Sequence, residues 1–131
     1  MRFWETVAVD LTSKLQLRPG QNLTVVGLPE GIRLDLPDGS RPVSKEAAVP
    51  DAVLVFVRSL ADLDERAQPA IEAARADLLA WVAYRKGRQL GTDLDRDVLA
   101  RHLAGAGIRP VRQVAIDAYW SALRFRPGSI G

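Results

Sequence analysis

The sequence predicts an α/β fold: a mostly parallel sheet with helices on its faces, closed by an antiparallel hairpin at the C-terminal end. Three observations lead there. Short continuous apolar runs, bounded by glycine, proline or other turn residues, have the length and composition of buried strands. Amphipathic stretches with capping residues separate these runs, and strands joined through helices have to pair in parallel by right-handed crossovers. Near the end the alternation stops, and two alternating segments follow each other across a short connection.

Taken in order, Trp4 to Leu15 sets Val7, Leu11 and Leu15 at helical spacing, a short amphipathic lead-in that Arg18-Pro19-Gly20 ends. Leu23 to Val26 reads as the first buried strand, between Gly20 and Gly27. Pro29 suits the first turn of a helix and Glu30 its positive end, so residues 29 to 36 are expected as a short helix before the turn Pro37-Asp38-Gly39-Ser40. Arg41 to Lys45 is expected as a minor strand. Asp51 to Val57 is the clearest strand, because Val53 to Val57 is continuous and β-rich behind Pro50, the pattern of a strand buried on both faces. Ser59, with Asp62 three residues on, caps a helix whose apolar stripe runs through Leu60, Leu63, Ala67, Ala70, Ile71 and Ala74, and Pro69 is expected to kink or split it.

Leu78 to Tyr84 is the third strong strand, left through Arg85-Lys86-Gly87-Arg88. Thr92 with Asp95 repeats the capping pattern, and Leu94, Val98, Leu99 and Leu103 carry a helix towards Gly105 and Gly107. Val111 to Asp117 and Ser121 to Arg126, joined through Ala118-Tyr119-Trp120, form the expected hairpin. The sum is a small Rossmann-like three-layer sandwich over a single domain, residues 1 to 131.

Composition narrows the function. The 131 residues carry 18 basic against 16 acidic groups, 47% apolar residues and no cysteine, which excludes disulfides, thiol catalysis and thiolate metal sites. A single histidine, His102, argues against most zinc sites, and no metal is expected. The apolar runs, such as Ala52 to Val57, are far short of the roughly 20 residues of a membrane helix, and Met1 to Glu5 shows no signal-peptide pattern. The expectation is a soluble cytoplasmic protein without a membrane partner. Arg85 to Arg126 holds nine cations against four carboxylates, an asymmetry that permits an anionic partner. No RNA-binding signature or recognition-helix pattern accompanies it, so nucleic acid is not the expected partner.

In open α/β sheets ligands sit beyond the carboxyl ends of the strands. That places the candidate ligand-binding residues at Gly27, Glu30 and Gly31, at Arg58 and Ser59, at Tyr84, Arg85 and Lys86, and at Asp117 in the hairpin connection. The cations suit a phosphate or carboxylate beside helix N-terminal amides. Against this, Glu30, Asp62, Asp64, Glu65, Asp93, Asp95 and Asp97 already bring negative charge to the helix starts, and Arg58, Arg85 and Lys86 pairing with carboxylates or facing solvent is the simpler reading. Gly27 to Gly31 lacks the three-glycine dinucleotide fingerprint and reads as a plain strand-to-helix turn. Asp93, Asp95 and Asp97 have the alternate spacing of a calcium loop without its glycine or distal glutamate. His102 reads as structural, Trp81 as core, and Trp4, Tyr119 and Trp120 as cover for an edge or a dimer contact.

The segments Lys14 to Gly20, Gly27 to Gly31, Trp81 to Gly87, Arg109 to Asp117 and Trp120 to Phe125 together resemble the bacterial domain of unknown function 3052 family, over about residues 12 to 127. The resemblance implies a small Rossmann-like protein and lends no catalytic residues. More distantly, the order of elements with its terminal hairpin is similar to class I S-adenosylmethionine-dependent methyltransferases. In that class the first strand ends in an acidic residue followed by a glycine-rich turn; here Gly27 stands at the acidic position, Pro29 replaces a glycine, and only Gly31 matches. Asp35 and Asp38 correspond by position alone to the acidic residue that holds the ribose. S-adenosylmethionine is therefore the cofactor the resemblance would imply, over a degenerate motif. The expectation is a non-catalytic or regulatory domain that binds a small ligand or a protein partner, with a minimal methyltransferase using Tyr84, Arg85 or Asp117 as the alternative and homo-oligomeric assembly through a sheet edge as a further option.

Overall fold

A computed structural model describes residues 15–17, 21–29, 41–42, 51–86 and 93–128. The expected lead-in helix before Leu15, the helix and turn from Glu30 to Ser40, Gly31, Gly87, Arg88 and Thr92 lie outside these residues.

The described strands are β1 (Asn22–Val26), β2 (Arg41–Pro42), β3 (Ala52–Phe56), β4 (Leu79–Arg85), β5 (Ile108–Ala115) and β6 (Trp120–Pro127). The helices are α1 (Leu60–Arg66), α2 (Gln68–Arg75) and α3 (Arg96–Ala104). One six-stranded sheet has the order β2-β1-β3-β4-β6-β5. β1 pairs in parallel with β2 and β3, and β3 with β4, whereas β6 runs antiparallel to both β4 and β5. The expected α/β, mostly parallel architecture is the one observed, and among the described strands β6 alone is reversed.

Period-two alternation divides the core between the two faces of the sheet. Val53, Val55 and Val57, with Ala80, Val82, Tyr84, Leu123 and Phe125, pack on one face against Leu63 of α1, Ala70, Ala73 and Ala74 of α2 and Leu99 and Leu103 of α3. Leu54, Phe56, Trp81, Ala83, Trp120 and Ala122 point to the opposite face, where Leu15 and Leu17 cover them. A strand such as β3, buried at every position, has to be continuously apolar, and Ala52 to Phe56 is.

Several boundaries differ from expectation. β5 starts at Ile108, before the expected Val111, because Ile108 and Arg109 pair with Pro127 and Arg126; the register shift between Pro110 and Arg112 accommodates the proline. Trp120 belongs to β6 and is buried, edge-on to Phe56 with ring centroids 5.3 Å apart, so it does not cover an exposed edge. α3 is capped by Asp95, whose carboxylate accepts the Val98 N–H at 2.9 Å, and starts at Arg96, later than a Thr92 cap would give. Pro69 splits the helical stretch that Ser59 caps, as expected: α1 ends at Arg66 and the proline lies in the first turn of α2, where its missing N–H costs no helical bond. No helix among the described residues is long and apolar enough to cross a membrane.

Candidate functional site

The carboxyl ends of β1, β3 and β4 open onto one rim, which the start of α3 and the β5–β6 connection also reach. At its centre lies the switch point, where the chain leaves β1 for β2 on one side and returns as β3 on the other. Gly27 takes φ +74° there, a left-handed conformation that favours glycine, and a Cβ at that position would lie 2.9 Å from the Phe56 carbonyl oxygen. It would also lie 2.8 Å from Arg66 Nη1. The Arg66 guanidinium therefore occupies the crevice between the ends of β1 and β3, where Nη1 donates to the Phe56 carbonyl at 3.4 Å and faces the Asp62 carboxylate at 3.7 Å. Sequence reasoning missed Arg66; the only signal was its place in the last turn of the helix, four residues after Asp62.

The remaining rim groups mostly hold the loops. Ser59 Oγ accepts the Asp62 N–H at 3.2 Å, and the Asp62 carboxylate returns to the Arg58 N–H at 3.0 Å. Asp93 accepts the Leu60 N–H at 3.0 Å, so a residue expected to serve its own helix instead ties the approach to α3 to the start of α1. Asp117 Oδ1 accepts the Tyr119 and Trp120 N–H groups at 2.7 and 2.8 Å and so shapes the hairpin connection. Lys86 donates through Nζ to the Asp117 carbonyl at 2.7 Å, and the Arg85 guanidinium lies 5.5 Å from the centroids of both the Tyr119 and Trp120 rings. For these two cations, both half-buried, the observed partners are a carbonyl and aromatic faces; of the two expected alternatives, carboxylate pairing or solvent, no carboxylate pairing is observed among the described residues.

Tyr84 and Lys86 do line a cleft, of about 750 Å³, between the first turn of α3 and the β5–β6 hairpin. Asp95, Arg96 and Asp97 form one wall, Gln113 to Ala115 another, and Tyr84 and Ser121, both buried and directly opposite each other in the ladder, are also among its lining. Burial raises the Tyr84 pKa above the ordinary tyrosine value, with a hydrogen bond to Ser121 opposing the shift, so the phenol stays protonated well above neutral pH. The size is that of a small-molecule pocket. Of the expected ligand-binding residues, this cleft gathers Tyr84 and Lys86; Asp117 reaches it through Lys86, Gly27 belongs to the switch point, Arg58 and Ser59 to the start of α1, and Glu30 and Gly31 lie outside the described residues.

No protein-family model matches the chain. No curated protein matches it either. Among solved structures it is similar to a protein of the NADB-Rossmann superfamily from Streptococcus agalactiae, with TM-score 0.52 and 12% identity over 92% of this chain and 68% of that one. This chain has a Rossmann-like fold. A SAM-dependent methyltransferase from Aquifex aeolicus is also similar, with TM-score 0.48 and 15% identity over 90% of this chain and 88% of that one.

Proposed function

We propose that this chain is a non-catalytic, regulatory domain that binds a small ligand or a protein partner at the carboxyl rim of its sheet. The observation that carries this reading is the arrangement of Arg66 at the switch point: a guanidinium packed against Gly27 and hydrogen-bonded to the Phe56 carbonyl stands where a Rossmann-like sheet receives its ligand. The side chains of Ser59, Asp62 and Asp117 support it, because each is engaged in shaping its own loop, and that of Asp93 is engaged at the start of α1. The cleft beside Tyr84, Lys86 and Ser121 is the place for the ligand.

A minimal S-adenosylmethionine-dependent methyltransferase is the second reading, and the terminal hairpin that reverses its last strand within an otherwise parallel sheet favours it. The residues present at the end of β1 do not fit that cofactor: Gly27 supplies no carboxylate, and the Arg66 guanidinium adjoining it opposes a sulfonium cation. The resemblance to the domain of unknown function 3052 family lends no activity to either reading.

Thermal unfolding with and without saturating S-adenosylhomocysteine separates the two. A ligand at about 100 times its Kd stabilises by about 2.7 kcal/mol, which for a domain of this size raises the midpoint by about 10 °C. The expected outcome is no shift and no methyl transfer to any acceptor tested. A shift of that size, or multiple turnover, overturns the regulatory reading in favour of the methyltransferase.

A further inference from the structure

Four arginines of the terminal hairpin meet on one face of the sheet, at the end away from the carboxyl rim. Register sets Arg112 directly opposite Arg124 and Arg109 directly opposite Arg126, and residues directly opposite in an antiparallel ladder share a face. It is the face that also carries Ala122 and Val114, turned away from the three helices.

The β5 irregularity makes the array. Arg109 and Arg112 are three residues apart and would point to opposite faces of a regular strand. The register shift between Pro110 and Arg112 reverses the alternation and brings both to the same face. Positions two apart on β6 are about 6.7 Å from each other along the strand, and opposite positions about 5 Å across it. The result is a compact rectangle of arginine positions on one face, with the Arg109 side chain lying against Gly128.

Like charges directly opposite destabilise a ladder, and here two such pairs stand side by side. Asp77 offsets part of the charge, accepting from Arg126 Nε at 2.8 Å and Nη2 at 2.9 Å. Arg124 Nη1 donates at 2.6 Å to Gln16 Oε1, a neutral group, while its buried Nε has no hydrogen-bond partner among the described residues. Burial first, and then Arg126 and, more weakly, Arg112, lowers the Arg124 pKa, with Asp77 opposing the shift. Arg109 and Arg112 are exposed.

We infer that this arginine rectangle is a docking surface for the phosphate backbone of single-stranded nucleic acid. All four cations are arginine, whose planar fork matches phosphate oxygens two at a time. An acidic peptide added as a further strand is disfavoured, because β5 offers Pro110 without an N–H and a broken ladder. No base-reading group is involved, so binding is independent of sequence. This also accounts for why no recognition motif marks it: the array is assembled by register.

The test is fluorescence anisotropy of the full chain with a labelled oligouridylate of about 20 nucleotides across a salt series. Contact with about three phosphates predicts a slope of log K against log salt near −2, a roughly 15-fold weakening between 50 and 200 mM salt. The double variant Arg109→Gln, Arg112→Gln is expected to reduce that slope by about 1.4, with a melting temperature equal to or above that of the parent, because it removes like-charge pairs. Arg101→Gln, in the last turn of α3 on the other side of the sheet, is expected to leave binding unchanged. The proposal is overturned by absence of binding at low salt, by equal loss in Arg101→Gln, or by equal displacement of the oligonucleotide with a polyglutamate peptide at matched anion concentration. The last outcome would assign the surface to an acidic protein.

Discussion

Gly27 and Arg66 form the pair on which the candidate site turns. The glycine was legible as a turn residue at the end of a strand, but not the reason it must be glycine. That reason combines a positive φ with a carbonyl, that of Phe56, 2.9 Å from where a Cβ would be. Backbone cannot move aside as a flexible side chain can, so Gly27→Ala is expected to destabilise the fold by about 1–3 kcal/mol, read as a lowered urea midpoint with unchanged slope. Arg66 was illegible for a related reason. Its i,i+4 relation to Asp62 describes an exposed helical ion pair of the most ordinary kind, and nothing local says that the same guanidinium nitrogen also reaches a strand end ten residues back in the chain.

Among the elements, helix starts were the most legible and strand ends the least. Capping depends on side chains within three residues of each other, so Ser59 and Asp62 announced α1 correctly. At α3 two capping residues stood three apart, and the geometry uses the second: Asp95 reaches the Val98 N–H, while Asp93 leaves its own helix for the Leu60 N–H. Asp95→Ala is accordingly expected to cost about 1 kcal/mol. Asp93→Ala is expected to weaken protection of the first turn of α1 in hydrogen exchange, leaving the amides of α3 unaffected. A sequence-local role for Asp93 predicts the reverse. Strand ends depend on partners, and β5 gained Ile108 to Pro110 only because Arg126 and Pro127 lie alongside them.

At the scale of the whole molecule, Trp81 joins distant parts of the chain. Its ring is buried on the sheet face covered by Leu15 and Leu17, and Nε1 donates to the Leu15 carbonyl at 2.9 Å across 66 residues of sequence. Trp81→Phe keeps most of the apolar contact but leaves that carbonyl without its donor. Loss of a buried partner costs about 1–3 kcal/mol, and the expected signature is a lower melting temperature with the far-ultraviolet spectrum retained. The strand order belongs to this scale too. β6 inserts between β4 and β5, which brings Tyr84 opposite Ser121 and opens the cleft beside α3.

Among the described residues, the sequence by itself determined which segments become strands and which become helices, because burial leaves a period of two or a continuous apolar run, and capping leaves short-range pairs. It determined the α/β class for the same reason. The tertiary structure decided which strands are neighbours, and through that decided the site. Arg66 in the switch point, Tyr84 against Ser121 and the arginines of the hairpin each depend on groups far apart in the chain meeting at a particular register. Hydrophobic pattern records that a residue is buried, not what it is buried against.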